Sequence, residues 1–263
     1  MRIACWQTRS GGSGADLLAR LTSISRTAAA AGADLLITPE LSLTGYGVGL
    51  DRPAKAAEPV GGPLHDAVSR LAAEAGIAIV YGWPETAGGT VYNSVQLIDA
   101  RGETAAHYRK THLYGEFDTA AFTAGSRPLV QADLGGVRVG LVICYDVEFP
   151  ELVRMHALAG TQLLAVPTAL VRPWTFVPRV LIPARAFESQ LFIAYVNWSG
   201  PEPAGYCGLS RVAGPDGELI AADETGTPEA LLVAELDLTE IAAARRATPY
   251  LADRRPELYG GLT

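Results

Sequence analysis

Cysteine is scarce in this 263-residue chain, and the three that occur, Cys5, Cys144 and Cys207, lie far apart. No two of them form a Cys-x-x-Cys pair, which argues against a disulfide framework and against a cysteine-based zinc site. An odd number of unpaired cysteines is typical of a reducing compartment. We therefore expect a cytoplasmic protein with free thiols.

Long hydrophobic runs are also lacking. The longest, such as 137–144 and 191–196, are strand-sized and fall short of the roughly 18 residues that a transmembrane helix needs. Residues 1–7 predict a strand rather than a signal peptide. Positive charge is in deficit, with 21 Lys and Arg against 28 Asp and Glu, and a net charge of −7. This balance argues against a nucleic-acid or anionic-membrane partner.

Several catalytic motifs are missing as well. The sequence has no Gly-x-Ser-x-Gly, and Ser210 lies in Gly-Leu-Ser-Arg-Val, so a serine hydrolase is disfavoured. It also has no glycine-rich phosphate loop and no His-Glu-x-x-His, which argues against a nucleotide-phosphate site and against a zinc protease of that type.

What the chain does contain is a large apolar fraction: 49% of its residues are hydrophobic and 19% charged. That composition predicts a globular α/β protein, which we expect to be a single domain over residues 1–263. Strands are predicted at 2–7, 34–38, 77–83, 90–99, 104–110, 137–143, 163–167, 191–198, 210–213, 219–222 and 230–236, and helices at 15–31, 64–75, 151–159 and 183–189. So many apolar strands need cover, which favours two sheets packed face to face with helices outside.

Cys144 occupies the most informative position in the sequence. It follows the buried strand predicted at 137–143 and precedes a turn that leads into the helix at 151–159. Strand ends are rigid and helix N-termini carry partial positive charge, so this place suits a nucleophile and favours its thiolate form. The alternative is a core cysteine, because free cysteine is among the most buried residues.

Two other residues share that setting. Glu40 follows the strand at 34–38 and a proline, and Lys110 closes the strand at 104–110. Taken singly, each has an ordinary explanation, a cap or ion pair for Glu40 and a solvated edge charge for Lys110. If they converge with Cys144 on one sheet edge, they supply a base, a nucleophile and a cation for an oxyanion. That set suffices for acyl transfer without histidine.

The sequence resembles the nitrilase superfamily of carbon–nitrogen hydrolases over nearly its whole length. Three motifs occur in order: Thr38-Pro-Glu-Leu-Ser-Leu-Thr-Gly-Tyr46, Tyr108-Arg-Lys-Thr-His-Leu113 and Ile143-Cys-Tyr-Asp-Val-Glu-Phe-Pro-Glu151. The segment Asp253-Arg-Arg-Pro-Glu-Leu-Tyr259 is also family-like. The resemblance implies a four-layer α-β-β-α sandwich, a homodimer or higher homo-oligomer built through the helices on the Cys144 side, and no metal or organic cofactor.

The same resemblance implies a role for each motif residue. Cys144 is the nucleophile, Glu40 the general base and acid, and Lys110 with the backbone N–H of Tyr145 the oxyanion stabiliser. Many members carry a second glutamate after the lysine, four residues before a Phe-x-x-Gly. Here that register holds Asp118, with the longer Glu116 two residues earlier; register favours Asp118 and side-chain length favours Glu116.

The substrate is less constrained. Tyr145-Asp146 after the cysteine is similar to the amidase branches, and the turn at 147–149 has no arginine of the kind that carbamoylases use for a carboxylate. A neutral or cationic small carboxamide is therefore expected. An N-carbamoyl amino acid or β-ureido acid, a nitrile, and a non-catalytic binding subunit remain alternatives. The candidate substrate-binding residues are Tyr46, Trp174, Glu148 and Thr168; Glu148 would steer a cationic amine or cap a helix, and Trp174 would line the pocket or pack in a core or interface.

Overall fold

The computed structural model describes residues 1–47, 49–200 and 205–260. Its strands are β1 (Arg2–Arg9), β2 (Leu35–Ile37), β3 (Ala78–Ala87), β4 (Thr90–Ile98), β5 (Thr104–Arg109), β6 (Gln131–Leu134), β7 (Val137–Leu141), β8 (Leu163–Thr168), β9 (Phe192–Gly200), β10 (Tyr206–Cys207), β11 (Arg211–Ala213), β12 (Leu219–Ala222) and β13 (Ala230–Glu235). Its helices are α1 (Gly14–Ala30), α2 (Arg52–Ala56), α3 (Pro63–Ala75), α4 (Gly115–Ala121), α5 (Pro150–Leu158), α6 (Ile182–Ser189) and α7 (Thr239–Ala247). Short 3-10 segments lie at Cys144–Glu148, Arg172–Trp174 and Pro256–Leu258, and a π-helical segment at Val177–Leu181.

The strands form two sheets that are joined at one corner. The first has the order β5-β4-β3-β2-β1-β13, and β1, β2 and β3 in it are parallel. The second has the order β6-β7-β8-β9-β11-β12, and β7, β8 and β9 in it are parallel. The end of β1 pairs with the end of β9, through Thr8 with Trp198 and Arg9 with Ser199. Each half therefore presents parallel strands whose carboxyl ends share one edge.

The alternation of side chains along the strands produces the four layers. On β1, Cys5 faces the core between the two sheets, while Ala4 and Trp6 face α1 and α3. On β8, Ala165 faces the same central core, while Leu164 packs towards α5 and α6. Because successive strand residues point to opposite faces, both sheets are buried on both sides. The expected α/β fold, a four-layer α-β-β-α sandwich, is confirmed.

Local sequence explains where the outer helices begin and end. At the start of α1, the hydroxyl of Ser13 accepts a hydrogen bond from the N–H of Asp16, and the Asp16 carboxylate accepts one from the N–H of Ser13. This reciprocal capping satisfies two N–H groups that a helix start leaves unpaired. The helix α3 begins at Pro63 and ends at Ala75, and it is followed by Gly76, which adopts a left-handed φ of 65° that glycine accepts without strain.

Five elements lie outside the sequence-based prediction, namely α2, α4, β6, β10 and α7. The strand before Cys144 is also shorter than expected, since β7 ends at Leu141. The N–H of Ile143 donates to the Asp146 carboxylate at 3.0 Å. At this residue a side-chain acceptor therefore replaces the backbone acceptor that a neighbouring strand would provide. Among the described residues, no helix has the length and apolar character needed to cross a bilayer.

Candidate active site

The fold brings the three sequence-predicted residues into one buried site. Glu40 follows β2, Lys110 follows β5, and Cys144 follows β7, so each lies beyond the carboxyl end of a strand. The Nζ atom of Lys110 lies 2.7 Å from Oε1 of Glu40, and both side chains are completely buried. The charges of Glu40 and Lys110 both act on the Cys144 thiol. The three residues therefore lie together in the structure, as the interpretation of the sequence required.

The backbone and side chain of Glu40 are held by contacts from distant parts of the chain. The indole N–H of Trp198 donates to the Glu40 carbonyl at 2.7 Å, and the Glu40 N–H donates to the carbonyl of Thr168 at 3.3 Å. The side-chain amide of Asn93 donates to Oε1 at 2.7 Å. The other carboxylate oxygen, Oε2, is buried and has no hydrogen-bond partner among the described residues. Burial raises the pKa of Glu40 above its ordinary value, although Lys110 opposes the shift.

Lys110 lies between two carboxylates. Besides Glu40, its Nζ contacts Oδ2 of Asp118 at 2.6 Å, and Asp118 also accepts hydrogen bonds from the Tyr46 hydroxyl at 2.7 Å and from the Tyr114 N–H at 3.0 Å. Burial by itself lowers the pKa of Lys110, but the carboxylates of Glu40 and Asp118 outweigh it and raise the pKa above its ordinary value. The ammonium therefore stays charged.

Of the two acids that the sequence left open, the structure places Asp118 against the lysine. Asp118 is buried on α4 and bonded to Lys110. Glu116 lies two residues earlier, is exposed, and lines the rim of a cavity that opens beside Cys144. The shorter arm of the aspartate suffices because α4 carries it close to the lysine.

Cys144 begins a 3-10 helix and adopts a left-handed backbone with a φ of 47°, a conformation that is strained for a residue with a Cβ. Burial is the largest influence on its thiol and raises its pKa well above the ordinary value; Glu40 adds to this, whereas Lys110 and the N–H of Ala169 oppose it. The expectation that the helix start favours the thiolate is therefore wrong. Desolvation of the buried thiol outweighs the start of this short helix.

Asp146 links the loop after Lys110 to the turn after Cys144. Its carboxylate accepts hydrogen bonds from the Tyr108 hydroxyl at 2.8 Å, the Thr111 hydroxyl at 2.9 Å and the His112 N–H at 2.9 Å, as well as from Ile143. The His112 ring also stacks on Phe149 with centroids 3.9 Å apart. These contacts give His112 a supporting position beside the lysine loop.

A cavity of about 440 Å³ opens beside Cys144. Its walls include five aromatic residues and two acids, Tyr46, Tyr114, Phe117, Tyr145, Trp174, Glu116 and Glu148. Three of the predicted substrate-binding residues, Tyr46, Trp174 and Glu148, thus lie on the walls, and Trp174 is 51% exposed. Thr168 does not line this cavity. It is buried at the end of β8, and its hydroxyl donates to the carbonyl of Val166.

The sequence analysis missed two residues that are distant in sequence and donate hydrogen bonds to Glu40. Asn93 and Trp198 both bond to Glu40. The signal for Asn93 was a polar side chain inside a predicted strand, since a buried amide needs partners. In residues 1–47, 49–200 and 205–260, no group of three or more His, Cys, Asp or Glu side chains is arranged to hold a metal ion.

Comparison with known proteins gives a family and close relatives. A family model described as carbon-nitrogen hydrolase matches residues 2–246. A Pseudomonas protegens protein named "Hydrolase in pqqF 5′ region" is 47% identical over 233 residues, which cover 88% of this chain and 81% of the relative. An "(R)-stereoselective amidase" from Pseudomonas sp. is 39% identical over 232 residues, with 88% and 82% covered.

A solved structure has the same fold. A variant of the amidase from Nesterenkonia sp. AN1 has a TM-score of 0.85 and 34% identity, and the match covers 100% of this chain and 97% of that chain. That structure shows covalent addition of the acetamide moiety of fluoroacetamide at the active site cysteine.

Proposed function

Because this chain belongs to the carbon–nitrogen hydrolase family of the nitrilase superfamily and is an amidase of that family, we propose that it hydrolyses a small carboxamide to the carboxylic acid and ammonia. The reaction passes through a thioester on Cys144, with Glu40 as base and acid and Lys110 as oxyanion stabiliser. The observation that carries this proposal is the buried Lys110–Glu40 contact of 2.7 Å beside the cysteine.

The unpartnered carboxylate oxygen of Glu40 supports an acylation step in which this oxygen accepts the thiol proton. Oε2 of Glu40 has no partner among the described residues, so it is the oxygen available to take the thiol proton. Because burial raises the pKa of the Cys144 thiol, the proton leaves the sulfur during attack on the amide carbon rather than before it. The S–C bond forms, the carbonyl electron pair moves to oxygen, and a tetrahedral oxyanion results.

Two donors are suited to that oxyanion. The Lys110 ammonium has three N–H bonds, and carboxylates accept two of them, which leaves one for the substrate oxygen. The N–H of Tyr145 lies at the start of the 3-10 helix, where N–H groups lack intrahelical acceptors. Each such donor is worth about 3–4 kcal/mol in related sites.

Collapse of the oxyanion breaks the C–N bond. Glu40 returns its proton to the nitrogen, ammonia leaves, and the acyl group remains on Cys144 as a thioester. A water molecule then gives one proton to Glu40 and attacks the thioester carbon. The carboxylic acid forms, and the thiolate recovers its proton from Glu40, so that the site returns to its starting state.

We assign the second acidic position to Asp118. Its carboxylate contacts Lys110 directly and is held by Tyr46 and Tyr114. Loss of a hydrogen bond to a charged group costs about 1.5–3 kcal/mol, so Asp118→Asn should lower kcat/KM at least about tenfold. Glu116→Gln should have a much smaller effect, because Glu116 is exposed. A larger loss in Glu116→Gln would reverse the assignment.

The test of the reaction is trapping of the acyl-enzyme. Intact mass spectrometry of the unaltered protein, acid-quenched during turnover of an amide, should show the acyl group on Cys144. Glu40→Gln should form this adduct far more slowly, because it lacks the group that takes the thiol proton, and Cys144→Ala should release no ammonia. Cys207→Ala is the matched control, because Cys207 is a buried thiol outside the cavity lining. An adduct on Cys5 or Cys207 would overturn the assignment of the nucleophile.

A substrate panel tests the bond that is cleaved. Aliphatic amides, amino-acid amides, N-carbamoyl amino acids and nitriles should be scored by ammonia release. Turnover of the amides is expected. Turnover confined to the N-carbamoyl compounds or to the nitriles would replace the amide assignment, and no turnover of any of them would favour the binding-subunit alternative.

We also propose that the chain forms a homo-oligomer through α5 and α6. These helices carry apolar side chains that are exposed in the single chain, Met155 at 39%, Leu158 at 49% and Phe187 at 42%. Light scattering should give at least twice the 27.7 kDa mass of the chain, and Leu158→Glu should reduce that mass. A monomer at micromolar concentration would contradict this.

A further inference from the structure

The charged groups at the Cys144 cavity are mostly acidic. Among the lining residues, Glu116 and Glu148 carry charge, and none is Lys, Arg or His. Beneath them lies Lys110, which is already paired with two carboxylates, Glu40 and Asp118. The cavity and its floor therefore hold four carboxyl groups and one ammonium. A negative potential focused in a cleft attracts cations and repels a carboxylate-bearing ligand.

Glu148 is the acid whose position suggests a ligand. Its side chain is half-buried in the wall of the cavity, and among the described residues its carboxylate accepts no hydrogen bond and forms no salt bridge. Two cations act on this carboxylate, Lys110 and Arg185. Lys110 is paired with Glu40 and Asp118. The guanidinium of Arg185 donates to the carbonyls of Val147 and Glu148 and pairs with the carboxylate of Glu188. The carboxylate of Glu148 therefore has no fixed partner.

The position of Glu148 along the chain also sets its distance from the chemistry. It ends the 3-10 helix that Cys144 begins. At a rise of about 2 Å per residue, the two Cα atoms are separated by about 8 Å along that helix. This leaves room for several bonds between the amide carbon attacked by Cys144 and a charged group beside Glu148. Glu116 lies instead on the exposed start of α4.

The aromatic walls suit the same kind of ligand. Tyr114 and Tyr145 meet edge to face with ring centroids 5.2 Å apart, and Trp174 lines the cavity with 51% of its surface exposed. Aromatic faces attract ammonium groups through their quadrupole, and tryptophan does so best. A carboxylate set among aromatic rings is a recurrent way of binding an organic cation.

We propose that the substrate is a carboxamide whose acyl part carries an ammonium group, and that Glu148 with the surrounding aromatic rings binds that group. This rests on the proposed amide hydrolysis, because the ammonium is placed relative to a carbonyl at Cys144. Glu148 is then the specificity-determining residue of the acyl pocket. Burial raises the pKa of its carboxyl group, although Lys110 and Arg185 oppose the shift, and a bound ammonium would oppose it further.

The test uses three amides of matched size: 4-aminobutanamide (cationic), pentanamide (neutral) and succinamate (anionic). In the unaltered protein at low salt we expect kcat/KM in the order cationic, neutral, anionic. A hydrogen-bonded charge contributes about 1.5–3 kcal/mol, so Glu148→Gln should lower the cationic-to-neutral ratio at least about tenfold. Added salt should lower the same ratio in the unaltered protein, and Glu148→Lys should move the preference towards succinamate. A structural role alone would lower all three rates together and leave the ratio unchanged.

Glu116→Gln is the matched control, since it removes the other acid of the cavity. A collapse of the ratio in Glu116→Gln, an unchanged ratio in Glu148→Gln, or a preference of the unaltered protein for succinamate would each overturn the proposal. Hydrolysis of pentanamide alone would leave the proposed reaction standing while this inference fails. Calorimetry with Cys144→Ala tests binding without turnover, where 4-aminobutanamide should bind more tightly than pentanamide; equal or weaker binding would contradict the inference.

Discussion

The hydroxyl of Tyr46 donates a 2.7 Å hydrogen bond to Asp118, which lies 72 residues further along the chain. The second oxygen of Asp118 contacts Lys110 at 2.6 Å, and the Tyr46 ring lies 5.8 Å from the lysine nitrogen. One tyrosine therefore forms a wall of the cavity and also orients the acid that holds the lysine. Burial raises the pKa of Tyr46 above its ordinary value, so its hydroxyl remains a donor.

Replacement of Tyr46 by Phe should lower kcat/KM about tenfold or more, because loss of a hydrogen bond to a charged group costs about 1.5–3 kcal/mol. Steady-state kinetics on a neutral amide is the measurement. Tyr206→Phe is the control: the Tyr206 hydroxyl donates to the Tyr46 carbonyl at 2.8 Å, a neutral bond worth about 1 kcal/mol. Equal losses in the two variants would contradict a specific role for the Asp118 bond.

The sequence predicted Glu40, Lys110 and Cys144 because each follows a buried strand, and strand ends gather at one edge of a sheet. It did not predict Asn93 or Trp198, which lie 53 and 158 residues from Glu40; such partners depend on the register of paired strands and on the packing of the two sheets. The pKa of Cys144 was predicted in the wrong direction, since burial is a property of the folded chain. Thr168 was expected in the pocket, yet its hydroxyl turns back to its own strand.

Gly125 lies directly behind the lysine strand. Its N–H donates to the Lys110 carbonyl at 2.8 Å, and a Cβ on it would lie 2.4 Å from the carbonyl oxygen of Arg109. Gly125→Ala should therefore displace the backbone that carries Lys110, lower kcat, and destabilise the protein by about 1–3 kcal/mol, the usual cost of overpacking. Urea unfolding and steady-state kinetics measure the two effects.

The matched control for Gly125 is Gly14→Ala. A Cβ there would meet the carbonyl oxygen of Leu43 at an ordinary 3.4 Å, and Gly14 begins α1. Stability should be retained in that variant. If Gly125→Ala is as stable and active as Gly14→Ala, the close approach behind Lys110 has no role in holding the lysine.

The raised pKa of Cys144 predicts a distinctive pH profile for alkylation by iodoacetamide. Glu40→Gln lacks the proposed base, so the rate should follow the thiolate fraction and increase about tenfold per pH unit, without a plateau between pH 7 and 9. In the proposed mechanism Glu40 takes the proton, so alkylation of the unaltered protein should be faster at pH 7 and depend less on pH. A plateau below pH 7 in Glu40→Gln would indicate a stable thiolate and contradict this.

The label should appear on Cys144 alone. Cys144 lines the cavity, whereas Cys5 and Cys207 are buried and do not line it, so the reagent should reach Cys144 alone. Burial also raises the pKa of Cys5 to about 12 and that of Cys207 to about 11. Cys144→Ser is the control and should take up no label below pH 9. Peptide mapping after alkylation checks the site.

The buried imidazole of His156 predicts how stability changes with pH. His156 lies on α5, Nδ1 is 3.0 Å from the Thr161 hydroxyl, and burial lowers the pKa to about 4 from 6.5. Below pH 6.5 the imidazole of His156 is protonated in the unfolded chain, whereas in the folded chain it stays neutral down to about pH 4. The free energy of unfolding should therefore fall as the pH decreases through this window, by about 1.4 kcal/mol per pH unit at most, and be unaffected by His156 above it.

Urea unfolding of the unaltered protein and of His156→Gln from pH 4.5 to 7.5 measures the difference. His156→Gln should lose this part of the slope, so the stability gap between the two proteins should narrow as the pH falls, whereas a constant gap would show that His156 is protonated equally in both states.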